Sequence, residues 1–150
     1  MPLEAGYGAF VGDLTAARRY VMSRPDVIPV RVGFCGASIG ASLVALEAAQ
    51  MPGVVSMALL SPATEYRGLR MDAALRKYPG RALFVYSDDD GYAQRSTAEL
   101  IKIGPSGPRG GAAGGPREVL ALSHAGHGTT MLTRDPDLAR ALVDWFRRTL

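Results

Sequence analysis

The sequence predicts an α/β protein built on a mostly parallel sheet of about four strands with flanking helices. Three observations carry this. Short apolar runs alternate with longer segments of helical periodicity along most of the chain. The helical stretches between runs are long enough for right-handed crossovers between parallel strands. The 150 residues, 47% hydrophobic and 21% charged, suit one domain with a buried core and leave too little chain for two.

The elements follow in order. Residues 1–12, with Gly6, Tyr7, Gly8, Ala9 and Phe10, are assigned no element. Residues 14–23 form an amphipathic helix, with Asp13 as N-cap and Leu14, Ala17, Tyr20 and Val21 at helical spacing. Pro25 stops it. Residues 29–35 form a strand with Val30, Val32 and Phe34 on one side, and 36–40 a tight turn into an Ala- and Leu-rich helix over 39–50. Pro52-Gly53 is a turn. Val54–Leu60 is near-continuously apolar, as a strand buried on both faces requires.

A short helix over Met71–Lys77 ends at Pro79-Gly80. Residues 82–86 make a third strand, closing in Ser87-Asp88-Asp89-Asp90, and 92–103 a helix. Residues 104–116, rich in Gly and Pro, form a flexible surface loop rather than a domain linker. Arg117–Leu122 is the fourth strand, and 135–150 a closing helix with Leu138, Leu142 and Trp145 inward.

Charge and cysteine content narrow the function classes. The net charge is +3, and 15 of the 17 cations are arginines scattered along the chain. The pairs Arg18-Arg19 and Arg147-Arg148 sit inside predicted helices and read as solvated faces, so no nucleic-acid partner is expected. One cysteine, Cys35, excludes an intrachain disulfide and a cysteine-based zinc cluster, and it reads as a small buried residue. No apolar run approaches the ~20 residues of a membrane span, and no secretory pattern opens the sequence. Cytoplasmic residence is the expectation, with no membrane partner.

In a parallel sheet, chemistry sits beyond the carboxyl ends of the strands. The turn after the first strand reads Gly36-Ala37-Ser38-Ile39-Gly40, G-x-S-x-G between a strand and a helix. A sharp strand-to-helix reversal strains the central serine and holds its oxygen above the sheet, at a helix N-terminus where backbone N–H groups meet developing negative charge. A serine nucleophile needs a base, and the base an orienting acid. The two histidines, His124 and His127, both follow the fourth strand, and the acidic cluster follows the third. Serine, acid and histidine thus occur in the order expected of this arrangement.

With these motifs in place, the chain from about residue 13 onward resembles the α/β-hydrolase family, in particular the C-terminal half of small bacterial esterases and dienelactone-hydrolase-like members. Similar proteins carry a stretch like Val32-Gly33-Phe34-Cys35-Gly36-Ala37-Ser38-Ile39-Gly40-Ala41. They place the acid three residues after a small strand-ending residue, here Ser87, which points to Asp90. Their histidine lies in a His-Gly segment before the last helix, matching His127-Gly128-Thr129. The resemblance implies Ser38, His127 and Asp90 as the triad, with Asp89 the alternative acid, Ile39 N–H as one oxyanion donor, a small acyl substrate, and no metal or organic cofactor.

Two departures accompany it. Dienelactone hydrolases proper carry cysteine at the elbow, so the serine esterases are the better analogy for Ser38. The family's sheet usually has eight strands, and this chain supplies the last four. The absent half normally donates the second oxyanion N–H, whose loss costs ~10²–10³ in rate. Its absence also leaves an apolar strand edge unpaired, which favours aggregation or pairing with another chain, a homodimer through that edge being one form of it. The resulting expectation is a single, truncated hydrolase domain over residues 1–150, with a non-catalytic, self-associating or partner-binding module as the alternative.

Smaller readings complete the picture. Ser38 and Asp90 also suit helix caps, and His124 a structural position. Tyr66, Tyr92 and Met131 lie near strand ends, where pocket and core roles both fit. Thr129-Thr130 suits a cap or a substrate contact. Gly33, Gly36 and Gly40 depart from the dinucleotide-binding spacing, and the next strand ends in Leu59-Leu60-Ser61 without an acid to hold a ribose.

Overall fold

The computed structural model describes residues 4–104 and 115–150. The elements run α1 (Glu4–Met22), β1 (Val32–Ala37), α2 (Ile39–Ala48), β2 (Val54–Leu60), β3 (Glu65–Tyr66), β4 (Leu69–Arg70), α3 (Met71–Lys77), β5 (Arg81–Ser87), α4 (Gly91–Leu100), β6 (Arg117–Leu122), α5 (Thr130–Arg134) and α6 (Leu138–Thr149). Four of the strands form one sheet in the order β1-β2-β5-β6, every pair parallel. β3 and β4 form a separate two-residue hairpin.

The pleat explains why β2 is apolar throughout. Met57 and Leu59 face one way, into a core with Ala41, Val44 and Ala45 of α2 and with Leu75 and Phe84. Ala58 and Leu60 face the other way, into a core with Val85, Met131, Leu138 and Trp145. Helices therefore cover both faces of the sheet, as all-parallel strands require. Gly33 lets α6 approach β1, since a Cβ there would lie 2.6 Å from the Phe146 ring. That glycine serves packing against α6.

Several expectations are corrected. The first helix begins at Glu4, so Asp13 is an interior helical residue and not a cap. Its inward face carries Leu14, Thr15 and Arg18, while Tyr20 and Val21 are exposed. Arg18 is not solvated: its Nε donates to Glu47 Oε1 at 2.8 Å, a buried ion pair between α1 and α2. Thr15 Oγ1 donates to the other Glu47 oxygen at 2.8 Å. The partner of Arg18 lies 29 residues away, so helical periodicity misplaced the buried face.

The first strand starts at Val32, where the Val32 N–H reaches the Gly53 carbonyl; Val30 is 68% exposed outside it. Cys35 is exposed rather than buried, because β1 is an edge strand. Its thiol still lines a groove with Leu142, Val143 and Phe146, and this desolvation raises its pKa. Residues 135–150 hold only one helix from Leu138, and α5 precedes it; Leu138 and Trp145 are buried and Leu142 partly so. Of the expected loop over 104–116, residues 105–114 lie outside the described residues. Among the described residues, no helix is long and apolar enough to cross a membrane.

Candidate active site

The parallel register brings the ends of all four strands to one rim. Ala37 lies beside Leu60, Leu60 beside Val85, and Ser87 beside Leu122. The residue after each of the first three strands stays pinned to its neighbour. Ser38 N–H donates to Leu60 O at 2.9 Å, Ser61 N–H to Val85 O at 2.8 Å, and Asp88 N–H to Leu122 O at 2.9 Å.

Ser38 has φ 55° and ψ −121°, a strained conformation for a residue with a side chain. The reversal depends on Gly36, where a Cβ would lie 2.3 Å from Gly40 O. Ser38 occupies the N-cap position of α2 but makes no side-chain capping bond. Its Oγ lies instead 2.8 Å from His127 Nε2. His127 Nδ1 lies 2.6 Å from Asp90 Oδ2. The Asp90 side chain is 9% exposed and the His127 side chain 55%. Asp90 also caps α4, its Oδ1 accepting from Ala93 N–H at 3.2 Å, so one carboxylate fills both the cap and the partner role. Ile39 opens α2, where the first N–H groups have no partner within the helix.

The remaining residues of the rim hold other positions. Asp89 does not touch His127: its Oδ1 accepts from Ser87 Oγ at 2.5 Å and Gly126 N–H at 3.0 Å. These two bonds hold its carboxyl below the usual range. Asp88 accepts from His124 N–H at 2.7 Å and Ser123 Oγ at 2.8 Å, and its pKa is lowered for those reasons. The His124 side chain is 86% exposed, and its Nδ1 lies 3.8 Å from Asp88 Oδ1, outside the serine–histidine contact. Met131 is core. Thr129 sits at the N-cap of α5 and makes no side-chain capping bond. Among the described residues, no group of three His, Cys, Asp or Glu is arranged to hold a metal ion.

Ser38, Ile39, Ser61, Ala63, Tyr66, Tyr92 and His127 line a pocket of about 190 Å³. The hairpin β3–β4 raises Tyr66 over it, and Tyr92 Oη donates to Glu65 O at 2.9 Å, tying α4 to that hairpin. Tyr66 and Tyr92 are thus pocket residues. Ser61 was not singled out by the sequence; its place directly after a strand end was the available signal.

No family model matches the chain, and no curated protein does. Solved structures do. Dienelactone hydrolase from Anabaena variabilis superposes with a TM-score of 0.75 at 18% identity, over 96% of this chain and 61% of that one. The esterase domain of a Rhodothermus marinus protein gives 0.67 at 21%, over 92% and 68%. EstE1, a carboxylesterase cloned from a metagenomic library, gives 0.58 at 18%, over 91% and 60%. The fold is that of α/β-hydrolases, and the chain spans about three-fifths of the length of the first of these neighbours. At these identities the likeness is one of fold.

Proposed function

We propose that the chain is the nucleophile-bearing part of a serine hydrolase acting on a small carboxylic ester or related acyl compound. One observation carries the reading: the His127 ring bridges Ser38 Oγ at 2.8 Å and Asp90 Oδ2 at 2.6 Å, the three side chains coming from different strand ends. The strained φ of Ser38 and its unused capping role support it, and so do neighbours whose names are hydrolase and esterase. Those neighbours also weigh against a purely non-catalytic binding module.

In this mechanism Ser38 Oγ attacks the acyl carbonyl while its proton passes to His127 Nε2. Asp90 holds the Nδ1–H tautomer and stabilises the imidazolium. The oxyanion meets Ile39 N–H and the N-terminus of α2. The proton on Nε2 goes to the departing alcohol, leaving the acyl group on Ser38. A water then gives its proton to His127 Nε2 and attacks the acyl carbon; the bond to Ser38 Oγ breaks, the acid leaves, and the proton passes from Nε2 to Ser38 Oγ, restoring the hydroxyl. A pocket of about 190 Å³, below the usual range for drug-sized ligands, fits a short acyl chain.

Assembly forms part of the same reading. β1 pairs only with β2 among the described residues, and its sequence VGFCGA carries no charge. Pairing of this bare edge with the β1 of a second copy would close it.

The direct test is covalent labelling. Incubation with a fluorophosphonate is expected to add one phosphonyl group to Ser38, located by peptide mass spectrometry. A folded sample that stays unlabelled overturns the reading.

A further inference from the structure

We infer that Ser61, Ser87, Asp88 and Asp89 are positioning residues for His127, forming a cage of side-chain oxygens that holds the backbone of its loop. The inference rests on the hydrolase reading of Ser38 and His127 and adds residues that neither the fold nor the motif assigns.

The loop from His124 to Gly128 has an unusual backbone. His124, Gly126 and Gly128 have φ of 51°, 80° and 62°. Alternation through the left-handed region prevents a regular hydrogen-bond ladder, so the N–H groups need other acceptors. Four of them find side-chain oxygens on other strand ends. His124 N–H donates to Asp88 Oδ1 at 2.7 Å, and Ala125 N–H to Ser87 Oγ at 2.8 Å. Gly126 N–H donates to Asp89 Oδ1 at 3.0 Å, and Gly128 N–H to Ser61 Oγ at 2.8 Å.

The acceptors are themselves fixed. Ser87 is fully buried and its hydroxyl donates to Asp89, which leaves its lone pairs for Ala125 N–H. Ser61 is 2% exposed and held at φ 48°, a conformation that costs a non-glycine residue energy. His127 is thus clamped from both sides, by Gly126 before it and Gly128 after it. A histidine on an unclamped loop would drift from the serine, and a misplacement of about 1 Å can cost about 10²-fold in rate.

The experiment compares D89A with D89N, using p-nitrophenyl acetate and active-site titration. The asparagine of D89N keeps an oxygen that accepts from both Gly126 N–H and Ser87 Oγ, whereas the alanine of D89A offers none. In D89A, kcat per titrated site is expected to fall about 10- to 100-fold with KM changed less than about twofold. D89N is expected to recover most of kcat. A purely structural role would lower the titrated fraction and leave kcat per site alone, and that result overturns the inference. Should the wild-type chain neither label nor turn over, the hydrolase reading falls, and the cage is read from the His127 imidazole NMR resonances. They shift in D89A and not in D89N if the cage holds the ring. Unchanged resonances in D89A overturn it.

Discussion

The Cβ position of Gly36 lies 2.3 Å from the carbonyl oxygen of Gly40, whereas a Cβ on Gly40 itself would meet nothing within 4 Å. The two glycines of one pentapeptide therefore do different things. Gly36 makes room for the turn under Ser38. The obstructing atom is backbone and cannot swing aside, so Gly36→Ala is expected to cost about 3 kcal/mol or more. Gly40→Ala, within a helix and facing open space, is expected to be neutral or to gain about 0.5–1 kcal/mol. Urea unfolding of the two variants checks the contrast, and equal effects would contradict it.

The buried ion pair between Arg18 and Glu47 sets a second expectation. Removing one partner leaves an uncompensated buried charge, so Glu47→Ala is expected to cost about 3–5 kcal/mol. Replacing both partners with methionine is expected to recover much of that loss. Chemical denaturation that finds E47A within about 1 kcal/mol of wild type would show that the pair does not hold α1 to α2.

Acid is expected to loosen the histidine loop only below the ordinary carboxylate range. Asp88 and Asp89 are both depressed from the ordinary value of 3.8, chiefly by the His124 N–H and the Ser87 hydroxyl respectively. Depressed carboxyls contribute stability that is present above their unfolded pKa and lost as pH falls through the folded one. The amide resonances of His124 and Gly126 are therefore expected to titrate with midpoints below 3.8. Midpoints at or above that value would show that the carboxylates are not held by these bonds.

The proposed β1 pairing is read by sedimentation. Wild type is expected to run as a dimer, and C35K, which sets a charge on the exposed edge strand, as a monomer. A wild-type monomer at the highest attainable concentration excludes the pairing.

Much of this arrangement was legible before the structure. β2, α3 and β6 match their predicted bounds, because a continuous apolar run or a proline stop marks each one. Ser38, the acidic cluster and the histidine pair stood out because each follows a strand end in a fixed chain order; the choice of Asp90 and His127 within them came from the family resemblance, and the structure brings the three side chains together. What escaped depends on contacts distant in sequence. Gly6, Gly8 and Gly12 lower helix propensity over the first turns, so the start of α1 at Glu4 was hidden. Arg18 looked like any surface arginine until Glu47 arrived from another helix. The β3–β4 hairpin has two-residue strands, too short to show a period, so Tyr66 could not be assigned to the pocket. Asp88, Asp89 and Asp90 are consecutive and chemically alike, and only the folded loop decides that Asp90 meets the His127 ring while Asp88 and Asp89 meet backbone N–H groups and serine hydroxyls.

The most direct test of the account is a kinetic cycle on the serine and the histidine. Ester hydrolysis is measured for S38A, H127A and the double variant, each shown to be folded. If the two side chains act as one unit, each single variant loses about 10⁴-fold or more in kcat and the double variant loses no more than either. Retained turnover in S38A, or losses that multiply in the double variant, would contradict the proposal that Ser38 and His127 share one proton transfer.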